Sequence, residues 1–495
     1  MAPTTHPRRI YRSGAFGARF SSRSGACAQR RLPRRPRGFA AGMGRRELRN
    51  RDPAVGYNLA MAIPSQTSPP IPSVLSGLEG IRTWVEDFYR DLHEHPELSH
   101  REVRTADKVA RRLEAAGISV HEGVGGTGVV GLLRNGEGPT VLLRADMDAL
   151  PVAEATGLSY ASREVATDSD GKEVSVMHAC GHDIHVACLL GAAHLLASHP
   201  EAWAGSVAFV FQPAEETADG ARAMVESGLA GLLPRIDVAL AQHVLPAPAG
   251  VVGTHAGPTL SAADSLRITV FGRGAHGSMP QASIDPVVLA AMIVVRLQTV
   301  VARETRPGEP VVLTVGKLQA GTKTNVISDH AVIEVNIRTY SPETRRAVLE
   351  AIHRIVDGEC QASGSPKPAT YELFDQFPLT DNDPDATTRV SEAFGAFFGE
   401  RAVVVPALSG SEDFSDIPNA LGAPYCYWGI GGTDPELYRK AEEAGRVFEQ
   451  VPVNHSALFA PVMQPTLDTG IQTLVVAALA WLGDPAPGAS GRGRA

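Results

Sequence analysis

The stretch from Met177 to His185 contains one cysteine and three histidines within nine residues. Cys180 and His182 lie on either side of Gly181, and an apolar helical run follows them. A Cys-Gly-His turn at a helix start can present a thiolate and an imidazole to one point, because glycine permits the sharp backbone path. We expect the helix N-terminus to lower the pKa of the thiol and so favour the thiolate that a metal ion requires. Taken alone, the pattern is more typical of a buried structural cysteine beside surface histidines.

Other side chains that could bind a metal follow predicted apolar strands. Asp146 and Asp148 come after one strand, Glu215 and Glu216 after a second, and His243 after a third. The carboxyl ends of strands in a parallel sheet meet at one edge, where catalytic groups collect. The sequence therefore predicts one site that these residues share with the cysteine loop.

A two-metal hydrolase needs two ions about 3.5–4 Å apart, a bridging ligand, further ligands on each ion and a base for the attacking water. The sequence offers a candidate for each ligand position: Cys180 as the bridge, His182 and His243 for one ion, and Glu216 and His455 for the other. Glu215 is next to a ligand in sequence but points elsewhere, so it could take a proton from the water. Asp148 could orient a ligand imidazole from behind.

The elements that must position these residues alternate between strand and helix. Residues 76–261 and 375–485 are predicted to form one discontinuous catalytic domain, whose first apolar strands are Gly128–Leu133, Thr140–Arg144, Val207–Phe211 and Val238–Ala241. Near-continuous apolar strands separated by helices predict an α/β fold with a buried, mostly parallel sheet.

Two amphipathic helices, Leu78–His95 and Arg101–Ala116, open the folded part of the chain. The cluster His93-Glu94-His95-Pro96 has metal-binding residue types, but it falls at a helix end just before proline. We interpret it as a solvated helix C-terminus.

Residues 262–374 have a different pattern. Their predicted elements follow the order β-α-β-β-α-β: Ser265–Phe271, Pro286–Glu304, Pro310–Leu318, Ala331–Thr339, Pro342–Asp357 and Lys367–Phe374. This order is the ferredoxin-like arrangement. We predict a separate α+β domain inserted into the first.

Residues 1–75 form an arginine-rich extension that ends in a linker rich in proline and serine. Residues 1–51 contain fourteen arginines, no lysine and one acid. This composition is typical of a transit peptide. It is also what GC-rich upstream DNA would encode if translation started at Met43 or Met61. Under either interpretation we predict disorder for residues 1–75, and likewise for the tail at 486–495.

Charge and composition exclude several classes of protein. The whole chain carries −8 and its first 51 residues +13, so the remainder carries −21 and gives no support to nucleic-acid binding. No apolar run approaches the ~20 residues of a membrane span, so no membrane association is expected. Five cysteines without regular spacing favour a reducing compartment, which we take to be the cytoplasm.

Five motifs occur in an order that resembles a known enzyme family. They are Arg-Ala-Asp-Met-Asp-Ala-Leu-Pro, His-Ala-Cys-Gly-His-Asp, Gln-Pro-Ala-Glu-Glu, Gly-Ala-His-Gly-Ser-Met-Pro and Ser-Glu-Asp-Phe. The chain is similar from about residue 78 to 483 to the dinuclear metal amidohydrolases typified by hippurate hydrolase and plant auxin–amino acid conjugate hydrolases. These belong to the aminoacylase and carboxypeptidase G-like metallopeptidase superfamily.

The resemblance implies roles for particular residues. It implies Cys180, His182, Glu216, His243 and His455 as ligands of two divalent ions (Zn, Mn or Co) and Glu215 as the general base. It also implies a homodimer paired through the inserted domain. In that domain His276 would stabilise the oxyanion, and Asn325 and Arg338 would border the substrate. The segment 161–176 departs from the family because it is longer than the usual link.

The sequence thus predicts a metal-dependent amidohydrolase that cleaves the amide of N-acyl amino acids. One rival is a dinuclear metal peptidase acting on a chain terminus. A rival of another class is a non-catalytic metal-binding dimer. The intact Glu215 disfavours that last reading, because a protein without catalysis has no need of a base.

Overall fold

The computed structural model describes residues 71–483. Predictions for residues 1–70 and 484–495 lie outside the described residues. The helices of the described chain are α1 Ile71–Leu75, α2 Leu78–Glu94, α3 Val103–Ala115, α4 His182–Ser198, α5 Gly220–Glu226, α6 Leu229–Leu232, α7 Pro286–Thr299, α8 Pro342–Ala362, α9 Pro384–Phe398, α10 Asp416–Leu421, α11 Pro435–Glu443, α12 Val447–Gln450 and α13 Met463–Leu479. Residues 71–75, assigned from sequence to the linker, instead form α1, and its Val74 is fully buried.

Eighteen strands accompany these helices between residues 71 and 483. They are β1 Ser119–Val124, β2 Gly128–Asn135, β3 Thr140–Asp146, β4 Val165–Thr167, β5 Glu173–Ser175, β6 Gly205–Gln212, β7 Val238–Pro248, β8 Val252–Thr254, β9 Gly257–Leu260, β10 Ala262–Phe271, β11 Ala275–His276, β12 Val311–Ala320, β13 Val326–Ile327, β14 His330–Thr339, β15 Thr370–Phe377, β16 Thr380–Asn382, β17 Ala402–Val404 and β18 Tyr425–Thr433.

Eight strands form one large mixed sheet in the order β1-β2-β6-β3-β7-β18-β8-β17. The neighbours β6, β3, β7 and β18 run parallel, as does the pair of β8 and β17. Successive residues of β3 alternate between two apolar clusters: Val141 and Leu143 face one, and Leu142 faces the other. Because both faces are covered, the central strands are apolar throughout. The predicted α/β class is confirmed.

Both ends of this mostly parallel sheet include antiparallel pairs. The pairs β1–β2, β2–β6 and β18–β8 are antiparallel. Strand β1, with the sequence Ser-Val-His-Glu-Gly-Val, is largely exposed and lacks the apolar run that would mark it as a strand. An edge strand needs little burial, so its sequence resembles a loop.

Helix α4 is the central element of the catalytic layer. Fourteen of its residues are buried, and it packs against α2, α13 and the sheet. A helix that is apolar on all sides can be stable only inside a protein. The element that follows Cys180 is therefore rigidly held.

The inserted residues form a second layer of their own. Strands β12, β14, β10 and β15 make an antiparallel sheet in that order, and α7 and α8 pack on it around a separate apolar cluster. This is the strand order expected of the predicted β-α-β-β-α-β unit. A short ribbon of β11 and β13 projects from it.

Helix α7 has an apolar side that the rest of the described chain does not cover. Together with the π-helical turn Val300–Glu304 that continues it, α7 is long and apolar enough to cross a membrane by length and composition. Only a third of its most apolar 18-residue stretch is buried. The expectation that no apolar run approaches such a length is therefore wrong. Its uncovered side chains include Val288 and Val295, which are 59% and 67% exposed.

Candidate metal centre

The cysteine loop enters α4 through a left-handed residue. Gly181 has φ +86°, and a Cβ atom there would lie 2.4 Å from a methyl carbon of Val244. Only glycine fits both the backbone angle and the space. The predicted sharp path at Gly181 is thus present, and it brings Cys180 and His182 to one side of the loop.

The five predicted ligands come together in two overlapping groups. The candidate ligand atoms of Cys180, His182 and His243 lie within 4.8 Å of one another, and so do those of Cys180, Glu216 and His455. The thiol of Cys180 belongs to both groups, and its Sγ is 3.4 Å from Nε2 of His243. One sulfur is therefore placed to serve two neighbouring ions.

Two of the three ligand histidines carry their protons on the side away from this point. Nδ1 of His182 donates to the carbonyl of Asp148 at 2.9 Å and lies 3.2 Å from its Oδ1, while Nδ1 of His243 donates to the carbonyl of Val244 at 2.7 Å. A proton on Nδ1 leaves the Nε2 lone pair free for a metal. Burial lowers the pKa of His243 well below its usual value, which keeps its imidazole neutral. Asp148 stands where the sequence predicted an orienting carboxylate.

Two buried polar atoms in the cluster have no hydrogen-bond partner and are suited to bind a metal ion. Nε2 of His182 and Oε1 of Glu216 are buried and make no hydrogen bond to any described residue. Unsatisfied buried polar atoms are rare and point to an ion or water. A thiolate, imidazoles and carboxylates are donors that zinc, manganese and cobalt accept. The residues present thus fit a pair of divalent ions held by Cys180, His182, Glu216, His243 and His455.

His455 reaches the cluster from near the end of the described chain. Its backbone N donates to the carbonyl of Ala179 at 2.8 Å, and the preceding Asn454 donates to the carbonyls of Cys180 and Val244. His455 has φ +69°, a strained angle for a residue with a side chain. Its Nε2 lies 3.3 Å from Oε1 of Glu216, and the proximity of Cys180 and Glu216 raises the pKa of His455 to about 10.

Glu215 occupies a different position from its neighbour. Its carboxylate lies 3.9 Å from Nε2 of His182 and within 4.8 Å of the carboxylates of Glu412 and Asp413. Burial, together with the charges of Glu412 and Glu216, raises the pKa of Glu215 well above its usual value. Glu215 belongs to neither of the two groups that share Cys180, although its carboxylate also lies within 4.8 Å of the candidate ligand atoms of His182 and Glu216.

The expectation for the thiol pKa is wrong for the metal-free protein. Burial, followed by the charge of Glu216, raises the pKa of Cys180. The helix N-terminus does not overcome these two effects. A coordinated divalent ion deprotonates a thiol outright, so the thiolate would arise on binding.

Sequence reasoning missed the ionic network beneath the cluster. Arg144 is fully buried and contacts Asp146 at 2.5 Å, Glu412 at 2.7 Å and Asp413 at 3.4 Å. It neutralises carboxylates that would otherwise be buried unpaired beside Glu215. The Ser-Glu-Asp-Phe motif was visible in the sequence, but its arginine partner is 268 residues away.

The interpretation of His93 as part of a solvated helix end is wrong. Its ring is fully buried, with Nδ1 2.6 Å from Asp183 and Nε2 3.2 Å from Glu154. Burial favours the neutral ring, but the two carboxylates outweigh it and raise the pKa of His93 to about 10. The ion pairs join the end of α2 to the start of α4, so the cluster is structural support behind the ligands.

The predicted oxyanion donor His276 and the two predicted substrate residues lie on the inserted unit. His276 is exposed and Asn325 is its neighbour, since β11 pairs with β13 and the carbonyl of Asn325 accepts from the N of Gly277 at 2.7 Å. Within residues 71–483, neither makes a hydrogen bond to a predicted ligand. Arg338 donates to the carbonyl of Ser409 at 2.8 Å and to Oγ of Ser411 at 3.1 Å, so it borders the loop that carries Glu412.

This combination of an α/β layer, an inserted ferredoxin-like unit and a cysteine shared by two ligand groups defines the class of hydrolases that act on amide bonds. The chain belongs to peptidase family M20/M25/M40, whose model matches residues 142–455. The predicted resemblance is confirmed.

Individual relatives have more specific names. The chain is 38% identical to N-acetylcysteine deacetylase of Bacillus subtilis over 72% of this chain and 90% of that protein. It is 36% identical to thermostable carboxypeptidase 2 of Saccharolobus solfataricus over 77% and 91%. A crystal structure of a dinuclear metal-binding peptidase of the M20 family from Bacillus subtilis superimposes with a TM-score of 0.64, at 32% identity, covering 81% of this chain and 98% of that one.

Proposed function

We propose that this protein cleaves the amide bond of N-acyl amino acids, with Glu215 as the general base for the attacking water. The proposal depends on the position of Glu215. Its carboxylate lies beside the two ligand groups that share Cys180 and belongs to neither of them. The name of the Bacillus deacetylase, an enzyme for an N-acetyl amino acid, supports this substrate class.

The proposed centre holds two divalent ions, Zn, Mn or Co, on the five predicted ligands. When bound, such ions polarise an amide carbonyl and lower the pKa of water towards ~7. Glu215 takes the proton of the attacking water and returns it to the leaving amine. Asp148 keeps the ring of His182 in one tautomer throughout, because Nδ1 of that ring donates to it.

Peptidase activity at a chain terminus is the second candidate, and the thermostable carboxypeptidase relative favours it. Turnover should be measured on benzoyl-, acetyl- and indoleacetyl-amino acids beside dipeptides with a free N- or C-terminus, with metal content determined in parallel. The proposal expects the N-acyl compounds to be hydrolysed at least tenfold faster than the dipeptides. Faster cleavage of the dipeptides would establish the peptidase instead, and no turnover with bound metal would favour a non-catalytic dimer.

Replacement of the shared sulfur tests the two-ion arrangement. Cys180→Ala is expected to lose bound metal and activity, because one ligand of each ion disappears. Thiol reagents should inactivate the metal-free enzyme, and bound metal should protect it. Cys360→Ala, which removes a buried thiol of the inserted unit, is the matched control and should keep both metal and turnover. Unchanged metal binding in Cys180→Ala would contradict the bridge.

We also propose a homodimer formed through the inserted unit. The exposed apolar side chains of α7 support it, together with Val312 and Leu318 on the edge strand β12. An uncovered apolar surface of this kind is typical of an interface. In such a dimer, His276 would enter the partner's site and donate a hydrogen bond to the oxyanion, while Asn325 and Arg338 would border the substrate.

We propose the cytoplasm as the compartment of this protein. The free thiols of the described residues support it, since reduced cysteines are typical of that compartment; they are Cys180, Cys188, Cys360 and Cys426.

A further inference from the structure

The turn that carries Glu215 and Glu216 is held by two buried carboxylates. Oε1 of Glu102 accepts a hydrogen bond from the backbone N of Ala214 at 2.9 Å. Oδ2 of Asp148 accepts one from the backbone N of Glu216 at 3.0 Å. The peptide group that precedes Ala214 and the one that follows Glu215 are therefore anchored.

The side chain of Glu102 is fully buried, and its carboxylate accepts hydrogen bonds from three segments that are close in space. Besides Ala214 N, it accepts from the N of His100 at 2.9 Å and from the hydroxyl of Thr127. No lysine, arginine or histidine among the described residues pairs with it. Burial and then the charge of Asp148 raise the pKa of Glu102 to about 7. The fold thus keeps this acid in an unfavourable electrostatic environment.

The backbone at the anchored turn is strained. Ala214 has φ +52° and Ala218 has φ +60°, angles that residues with a side chain rarely adopt. The turn also folds back tightly, since a Cβ atom on Gly220 would lie 1.7 Å from the carbonyl oxygen of Pro213. Such conformations persist only where the surroundings hold them. The hydrogen bond from Glu102 falls on Ala214, one of the two strained residues.

We propose that Glu102 is a positioning residue for the hydrolytic reaction. By holding the N–H of Ala214 it keeps the turn in the conformation that sends Glu215 towards the water and Glu216 towards the metal. The proposal rests on the proposed role of Glu215 as base. A displacement of about 1 Å at a reacting group lowers rates by ~10²-fold, so loss of this anchor should act mainly on kcat.

Two substitutions at one position separate hydrogen bonding from charge. Glu102→Gln keeps an acceptor oxygen for Ala214 and His100, and its amide can donate to Thr127. Glu102→Ala removes every acceptor. Asn135→Ala is the control, because it also breaks hydrogen bonds between distant segments, to the carbonyls of Pro200 and Trp203, at the opposite end of the sheet. All three are assayed with saturating metal on the N-acyl amino acid that wild type hydrolyses fastest.

We expect kcat of Glu102→Ala to fall roughly 10²-fold, with KM within about threefold of wild type and two ions still bound. Glu102→Gln should stay within about threefold in kcat, and Asn135→Ala should lower Tm while keeping kcat. Wild-type kcat in Glu102→Ala would reduce the role of Glu102 to structure alone. An equal loss in Glu102→Gln would show that charge matters instead of the bond, and either result overturns the proposal. If Glu215 is not the base, a different measurement shows it, because the Glu215→Gln variant then keeps its activity.

Discussion

Glu215→Gln is expected to lose ~10²–10⁴-fold in turnover, because a positioned general base contributes about that much. The amide cannot take a proton from water, yet it occupies nearly the same volume in this buried position. Since Glu215 lies outside the two groups that share Cys180, bound metal should remain. Glu216→Gln should instead lose metal, because it removes a charged ligand from the group that contains His455.

The measurement is steady-state turnover with metal content determined on the same sample. Glu226→Gln, which changes an exposed carboxylate on the following helix α5, is the control and should match wild type. If Glu215→Gln keeps more than about a tenth of the activity, well outside the range expected for a lost base, Glu215 is not the base.

His276→Ala is expected to lower kcat by ~10²–10³-fold, the usual effect of losing one oxyanion donor. Metal content should not change, because His276 is exposed on the ribbon of β11 and β13 and its side chain bonds only to Ser278 among the described residues. His330→Ala, an exposed histidine of the same unit, is the matched control and should be fully active.

Action across a dimer makes this prediction stricter. Neither His276→Ala nor Glu215→Gln should be active alone, but mixed dimers hold one site with both residues intact and should recover activity. Val295→Glu, which places a charge on the exposed face of α7, should give a monomer that binds metal and turns over as slowly as His276→Ala. Inactive mixed dimers, or a fully active monomer, would exclude action in trans.

The α/β class and the gathering of candidate ligands could be predicted because most candidates lie near the end of an apolar strand or the start of a helix. Asp148 and Glu216 come after strands β3 and β6, and the topology brings them to one edge with His243. His243 lies within β7, which continues to Pro248 beyond the predicted strand end at Ala241. Local sequence carries this information, since it needs only the order of strands and the rule that their carboxyl ends converge.

The supporting residues could not be predicted, because their roles depend on distant partners. Glu102 and Ala214 are 112 residues apart, and Arg144 and Glu412 are 268 apart. The same applies to His93. Its place at a helix end suggests that its side chain is exposed to solvent, but the fold buries the ring between the carboxylates of Asp183 and Glu154. Burial is a property of the assembled fold, so a charged side chain at a helix end does not reveal it.

The position of β18 has a consequence for how the chain is made. This strand lies between β7 and β8, although both precede it by well over a hundred residues. Until the ribosome has synthesised Tyr425–Thr433, the buried strand β7 has no neighbour on one side, and its edge can pair with other chains. Helix α13, which covers the same layer, and His455 follow later still. Nascent chains should therefore require chaperone protection between the synthesis of β7 and that of β18, and metal binding should begin only after His455 has been made.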